Sequence, residues 1–513
     1  MNLQIKRKLF SGAAALLLFL GVLLLLTGCG QKEASPKYVF LFIGDGMGPA
    51  QVHAAEIYLE AAETGRIGIK RLDFSSFPVR GDMTTYAADA IVTDSASSST
   101  AMFTGAKTRN GRINMDEAGE NKLKIFTETV RETGRKIGVI SNVSLDHATP
   151  AACYAHVPAR SQYYDIALEL GQSPVDFFGG GGLIRPTGRN SDQPDAVKLA
   201  ENNGFTVVDT KEAFLALKPG REKIIAFNER LTSDKAMPFE IDREKDDLPL
   251  SAYVKKAIEL LDNPKGFFMM VESGKIDWAC HDSDAGASIR EVLAMDDAVR
   301  EALAFYHRHP KKTLILITAD HETGGLALTS KSASSKTSIS LLGRQKMSMD
   351  RFTEEFIKPY FSSTQEADRS LHDLLGPIEE QFGLCVLTTD RKLILSQKAK
   401  EGDREAQIEL DLSLTPQNLF ELQAAFEDSS KKAFPLAIAR IISAKAGLTW
   451  ASDGHSALPV PVYAIGSGQE YFNGSFDNTD MAIKLAALMG VSLESPEAPE
   501  KEKSETEKTE VSQ

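Results

Sequence analysis

The sequence predicts an α/β fold, a three-layer sandwich in which a mostly parallel sheet lies between two layers of helices. Three observations lead there. Short apolar runs at 37–44, 136–142, 266–272, 313–320 and 460–466 are rich in Val, Ile, Phe or Tyr and bounded by polar or turn residues. Near-continuous apolar runs of this kind suit strands covered on both faces. Helical patterns lie between them, clearest at 286–309, where Ile289, Val292, Leu293, Val299 and Leu303 fall near helical spacing. Acids follow several of the runs, and in open α/β sheets ligands bind outside the carboxyl ends of the strands.

The elements follow in chain order. Lys6, Arg7 and Lys8 precede an apolar run at 9–26, which ends in LTGC at 26–29. A run of about 18 residues could also span a bilayer. The small Thr27 and Gly28 directly before a cysteine favour a removed signal peptide. LTGC resembles the bacterial lipoprotein box. That resemblance implies a signal peptide at 1–28, lipidation of Cys29, a linker at 29–37, and attachment to a membrane of the bacterial cell envelope. The main domain is expected at 38–490. The Glu/Lys/Pro-rich stretch at 491–513 lacks the apolar residues to bury a core and is expected to be a disordered tail. Cys153, Cys280 and Cys385 are too few and too scattered for a disulfide scaffold.

The chain has 513 residues and a formal net charge of −13, with no basic face. Nucleic-acid binding is not expected. An anionic substrate would need local help from metal ions or a placed arginine.

The acids sharpen the reading. Asp45 follows the first run, Glu272 ends the third, and Asp320 with His321 ends the fourth. Helix capping would explain each acid singly but not the repeated placement at one sheet edge. His281 follows Asp277 by four residues, and His455 lies just before the last run. Mixed Asp/His sets suit zinc. His53, His307, His309 and His372 lie in helix-like segments and read as surface or core residues. The stretch TDSASSSTAMFTG at 93–105 holds one aspartate and almost no bulk. Composition alone reads it as a linker.

These pieces resemble the alkaline phosphatase family. The matching stretches are FIGDGMG (42–48), TDSASSSTA (93–101), DHATPAACYAHVPAR (146–160), VESGKIDWACH (271–281), TADHETGG (318–325) and SDGHSALPVPVYA (452–464), in the family's order. The resemblance implies hydrolysis of small phosphate monoesters by two in-line displacements, through a phosphoserine on Ser95, which it places at the start of a closely packed helix behind Asp94 and not in a linker. It implies two zinc ions, one held by Asp277, His281 and His455, the other by Asp45, Asp320, His321 and Ser95. It implies a third metal, usually magnesium, at Asp45, Thr149 and Glu272. Arg160 would grip two phosphate oxygens and Asp94 would hold that arginine. Members of the family are often homodimers.

Two positions depart from one bacterial branch, which has aspartate in place of His147 and lysine in place of Trp278. An imidazole beside the third site also suits zinc or cobalt, so the identity of that metal stays open. Cys280, between two ligands, is expected to pack inward. Residues 331–448 read as an inserted, helical cap shaping the entrance, with helices at 349–361 and at 415–429, the latter capped by Thr415 and opened by Pro416. The competing functions are a phosphodiesterase of the wider superfamily and a non-enzymatic metal- or ligand-binding lipoprotein. Arg160 argues against the first, since a diester has esterified one of the oxygens it would grip. The complete set of Ser95, Arg160 and metal ligands argues against the second.

Overall fold

A computed structural model describes residues 35–220, 223–329, 339–428 and 432–493. The expected signal peptide, Cys29 and nearly all of the expected tail lie outside these residues. Each of the five apolar runs is a strand. In chain order the strands are β1 (Tyr38–Gly44), β2 (Val79–Thr84), β3 (Lys136–Ser141), β4 (Phe177–Gly180), β5 (Thr206–Val208), β6 (Ile224–Phe227), β7 (Phe267–Ser273) and β8 (Thr313–Thr318). There follow β9 (Glu322–Thr323), β10 (Ala327–Leu328), β11 (Leu448–Thr449), β12 (His455–Ser456), β13 (Val460–Gly466) and β14 (Gly474–Asp477).

Ten of these form one sheet in the order β14-β2-β13-β8-β1-β7-β3-β4-β6-β5. Every neighbouring pair is parallel except those made by β13, which is antiparallel to both β8 and β2. The central strands β1, β7 and β8 are buried at every position, which is why their sequences are apolar without alternation. Successive side chains of a strand point to opposite faces. Phe267 of β7 accordingly meets Phe305 of the helix Ala285–Arg308. Its neighbour Phe268 meets Phe103 of the helix Ser95–Thr104 and Phe126 on the other face. Two helical layers thus sandwich the sheet, as the pattern predicts.

The helix expected at 286–309 runs Ala285–Arg308, and the Asp284 carboxylate caps it by accepting from the Ala287 amide at 3.0 Å. The helix Pro416–Glu427 starts as expected, with Thr415 Oγ1 accepting from the Asn418 amide at 3.1 Å. The pattern at 349–361 is less regular. It comprises helices Met349–Phe352 and Lys358–Ser363 joined by a π turn, Thr353–Ile357. Pro359 has no amide to donate back one turn, and the wider turn precedes it.

The topology puts the chemistry at one edge. Asp45 follows β1, Glu272 lies near the end of β7, and Asp320 and His321 follow β8. β13 runs against its neighbours, so its start lies where the parallel strands end. His455, a few residues before β13, is therefore delivered to the same edge from the opposite direction. The two-residue ribbon of β12 with β9 fixes it there, pairing His455 with Thr323.

Candidate active site

Tight local geometry sets the first acid. Gly46, directly after Asp45, has φ +72, and a Cβ there would sit 2.8 Å from Thr323 Oγ1 and 2.9 Å from the Asp277 Cα. Only glycine turns the chain so closely past both neighbours. The Gly46 amide donates to Asp320 Oδ1 at 3.2 Å, tying the ends of β1 and β8 together.

The stretch at 93–105 holds a helix, as the resemblance implies and its composition alone does not. Residues Ser95–Thr104 form a helix buried at all ten positions, and the small side chains admit it against the sheet. Asp94 is its N-cap, accepting from the Ser97 amide at 3.0 Å. Ser98 Oγ donates to the Asp320 carbonyl at 2.6 Å, locking the helix to the end of β8. Ser95, the first helical residue, places its Oγ 3.2 Å from His321 Nε2.

Three groups of possible ligands gather here: Asp277, His281 and His455; Asp45, Asp320 and His321; and Asp45, His147 and Glu272. In the first, His281 Nε2 lies 3.3 Å from Asp277 Oδ2 and 3.2 Å from His455 Nε2. In the second, His321 Nε2 lies 3.4 Å from Asp45 Oδ1 and 3.3 Å from Asp320 Oδ2. The two groups adjoin, with the His321 and His455 rings stacked at 3.6 Å between centroids.

Each of the three imidazoles is oriented through Nδ1. His281 Nδ1 lies 2.5 Å from the Asp453 carbonyl, His455 Nδ1 2.8 Å from the Thr93 carbonyl, and His321 Nδ1 3.2 Å from Thr323 Oγ1. Pinning Nδ1 leaves Nε2 to face the site, the arrangement that orients metal-binding histidines. Thr93 and Thr323 escaped the sequence reading. The signal that could have found Thr323 is its place two residues after His321 on the same side of an extended chain.

The site fits metal ions on its own chemistry. Both oxygens of Asp45, Oε1 of Glu272, Oδ2 of Asp320 and Oγ1 of Thr149 are buried without a hydrogen-bond partner. Burial, and then the charges of Asp320, Asp277 and Glu272, push the Asp45 carboxyl well above its ordinary value. Burial likewise pushes Glu272 up to about 8, against the Ser141 hydroxyl that donates to it. Unpaired buried carboxylates are costly, and cations between them remove that cost. His147 enters the third group, and its buried Nδ1 is also unpartnered.

A guanidinium lies beside the cap of the same helix. Arg160 Nη1 donates to Asp94 Oδ2 at 3.0 Å, and Nη2 lies 3.1 Å from His147 Nε2. The Gly111 amide donates to the same Asp94 oxygen at 3.0 Å while the Gly111 carbonyl accepts from the Arg160 amide at 2.7 Å. Burial opposes both charges, yet Arg160 holds the Asp94 carboxyl below its ordinary value and Asp94 holds the guanidinium above its own. Burial, and then Arg160, push His147 down to about 3, so its ring is neutral. Trp278 packs edge-on to that ring at 6.1 Å. Cys280 is fully buried and turned away from the ligands, its Sγ 3.4 Å from Ser288 Oγ. Cys153, Cys280 and Cys385 are all free thiols.

The alkaline phosphatase family profile matches residues 36–176 and 183–491. The chain belongs to the alkaline phosphatase family. Among curated relatives, alkaline phosphatase 4 of Bacillus subtilis is 29% identical over 461 residues, 88% of each chain. The repressible alkaline phosphatase of Saccharomyces cerevisiae is 28% identical over 492 residues, 89% of this chain and 82% of that protein. Among solved structures, the cold-active enzyme of Shewanella sp. superposes with a TM-score of 0.70 at 26% identity, covering 88% of this chain and 99% of that one. A mutant TAB5 alkaline phosphatase with Mg bound in its M3 site superposes at 0.59 and 25% identity, covering 90% and 99%. An alkaline phosphatase is a phosphomonoester hydrolase with metal sites, and this chain gathers three groups of possible metal ligands at one edge of the sheet.

Proposed function

We propose that this enzyme hydrolyses phosphate monoesters through a phosphoserine on Ser95, with two zinc ions and a third metal. The observation that carries the reading is the position of Ser95 Oγ, at a helix start, 3.2 Å from His321 Nε2 and next in the chain to Asp94, which holds Arg160. Asp277, His281 and His455 would hold one zinc; Asp45, Asp320 and His321 the other, with Ser95 beside it. Asp45, Thr149 and Glu272 would hold the third metal, with His147 close enough to favour zinc or cobalt over magnesium. When bound, the cations neutralise the phosphoryl charge, lower the pKa of the serine hydroxyl and stabilise the leaving oxygen.

The chain's own groups do the rest. Arg160 offers two parallel donors to two phosphoryl oxygens, which lysine could not match. Asp94 and the Gly111 turn hold that fork beside the start of the Ser95 helix. The start of the helix Ser95–Thr104 adds partial positive charge at the phosphate. Because phosphoryl transfer passes through a loose transition state, positioning and charge supply most of the rate. Esterification of a second oxygen would spoil the Arg160 contact, which favours monoesters over diesters.

The test is Ser95→Ala. It is expected to retain fold and metal content while losing the phosphoenzyme burst and most turnover of an aryl phosphate. Turnover near that of the parent would reject the nucleophile. Export with lipid anchoring at Cys29 is inferred from the apolar run at 9–26 and LTGC. Cys29→Ala is then expected to leave the membrane fraction, and firm retention there with normal signal removal would reject the anchor.

A further inference from the structure

Beside the candidate centre lies a second feature that phosphate chemistry does not use. A cavity of about 960 Å³ opens onto His281 and Asp453. Its far wall comes from the helical segments at 349–369, 423–428 and 432–436. Its size is at the upper end for small-molecule sites. The wall is firmly fixed. Asp284 Oδ2 accepts from the Met349 amide at 2.7 Å, and the Ser348 hydroxyl donates to Asp242.

The position is specific. His281 meets His455 on one side and its Nδ1 contacts the Asp453 carbonyl on the other. Ser95 lies beyond the stacked His455 and His321 rings. In-line displacement puts the leaving oxygen opposite the attacking one, so the alcohol half of the ester departs on the His281 side, into this cavity.

The lining is both aromatic and acidic. Phe361, Phe426 and Phe434 form a contiguous wall, with centroids 5.2 and 5.4 Å apart. Acidic side chains outnumber basic ones seven to three among the lining residues. Two of the three cations are engaged: Lys358 pairs with Glu354, and Arg369 donates to the carbonyls of Thr364 and Phe361. The third, Lys432, is exposed. Asp282 and Asp350 are half-buried and make no side-chain hydrogen bond or ion pair among the described residues.

We propose that this cavity is the alcohol-side subsite and selects phosphate monoesters whose alcohol carries an ammonium group on an apolar body. The proposal rests on the Ser95 reading above. An ammonium group over aromatic faces is attracted by the rings, and unpaired carboxylates add to that attraction. An alcohol carrying its own carboxylate or further phosphate meets the same carboxylates as repulsion. The helical segments thereby tune which monoesters enter, while the metal groups and Arg160 treat every phosphoryl group alike.

The experiment compares kcat/KM of the metal-loaded enzyme for phosphocholine, 3-phosphoglycerate and 4-nitrophenyl phosphate, in the parent and in Asp350→Asn. The expected result is a preference for phosphocholine over 3-phosphoglycerate of about tenfold or more in the parent. In Asp350→Asn that ratio is expected to fall by roughly threefold or more. The parent alone decides the first point, so a poorly folding variant does not shelter the proposal. Equal use of the two esters, or a ratio unmoved in a folded Asp350→Asn, overturns the subsite, while 4-nitrophenyl phosphate turnover that is lost in Ser95→Ala upholds the Ser95 reading. No turnover of 4-nitrophenyl phosphate overturns both.

Discussion

Arg160 shows how much of this site depends on single contacts. Its fork is aimed by one carboxylate, Asp94, which is itself held by the Ser97 and Gly111 amides. Arg160→Ala is expected to weaken inhibition by inorganic phosphate by about 3 kcal/mol, on the order of a hundredfold, with metal content unchanged. Asp94→Asn keeps a hydrogen-bond acceptor and is expected to cost less. Phosphate inhibition of Arg160→Ala equal to that of the parent would remove the arginine from the site. Trp278 carries the opposite expectation. The indole packs against His147 and brings no charge to bound phosphate. Trp278→Lys combined with His147→Asp is therefore expected to tighten phosphate inhibition by about 1 kcal/mol, several-fold in the inhibition constant. No change at full metal occupancy would make the tryptophan a packing residue.

At the scale of the elements, the turn after β1 is the most constrained. Gly46→Ala would push a methyl group against Thr323 and Asp277 at a backbone angle alanine dislikes. A loss of about 1–3 kcal/mol in stability is expected, with reduced metal content, read by thermal unfolding and metal analysis. Full metal content at the parent's melting temperature would show that the turn yields easily. The same elements explain what sequence alone revealed. β1, β7, β8 and β13 are legible because burial on both faces makes them uniformly apolar. β4, with the sequence FFGG, and β5, only three residues long, offer no such pattern. The helix Ser95–Thr104 looked like a linker by composition, since its helicity comes from the Asp94 cap and from packing rather than from an apolar stripe. The grouping of acids and histidines was readable from Asp45, Glu272, Asp320 and His321 at strand ends and from the four-residue spacing of Asp277 and His281. The groups that aim them were not, because the Thr93 and Asp453 carbonyls are backbone atoms that no residue type advertises.

Across the whole molecule, bound metal ions would cross-link the ends of β1, β7 and β8 with the start of the β12–β13 segment through the three ligand groups. Removing metal leaves the orphaned carboxylates of Asp45, Glu272 and Asp320 facing one another. A chelator is expected to abolish activity and lower the melting temperature, with both restored by added zinc. A ligand held at a thousand times its Kd stabilises a fold by about 4 kcal/mol, which sets the scale. An unchanged melting temperature after verified metal removal would contradict the cross-linking role.

The lone reversed strand has a consequence for how such a chain is made. The first ligand is Asp45 and the last is His455, which only the run into β13 can bring home. A growing polypeptide therefore carries Asp277 and His281 without the third member of their set until residue 455 has been added. A metal held by all three members would mark a nearly finished molecule, and a fragment ending before residue 455 would keep Ser95 and Arg160 yet lack the third member of that set.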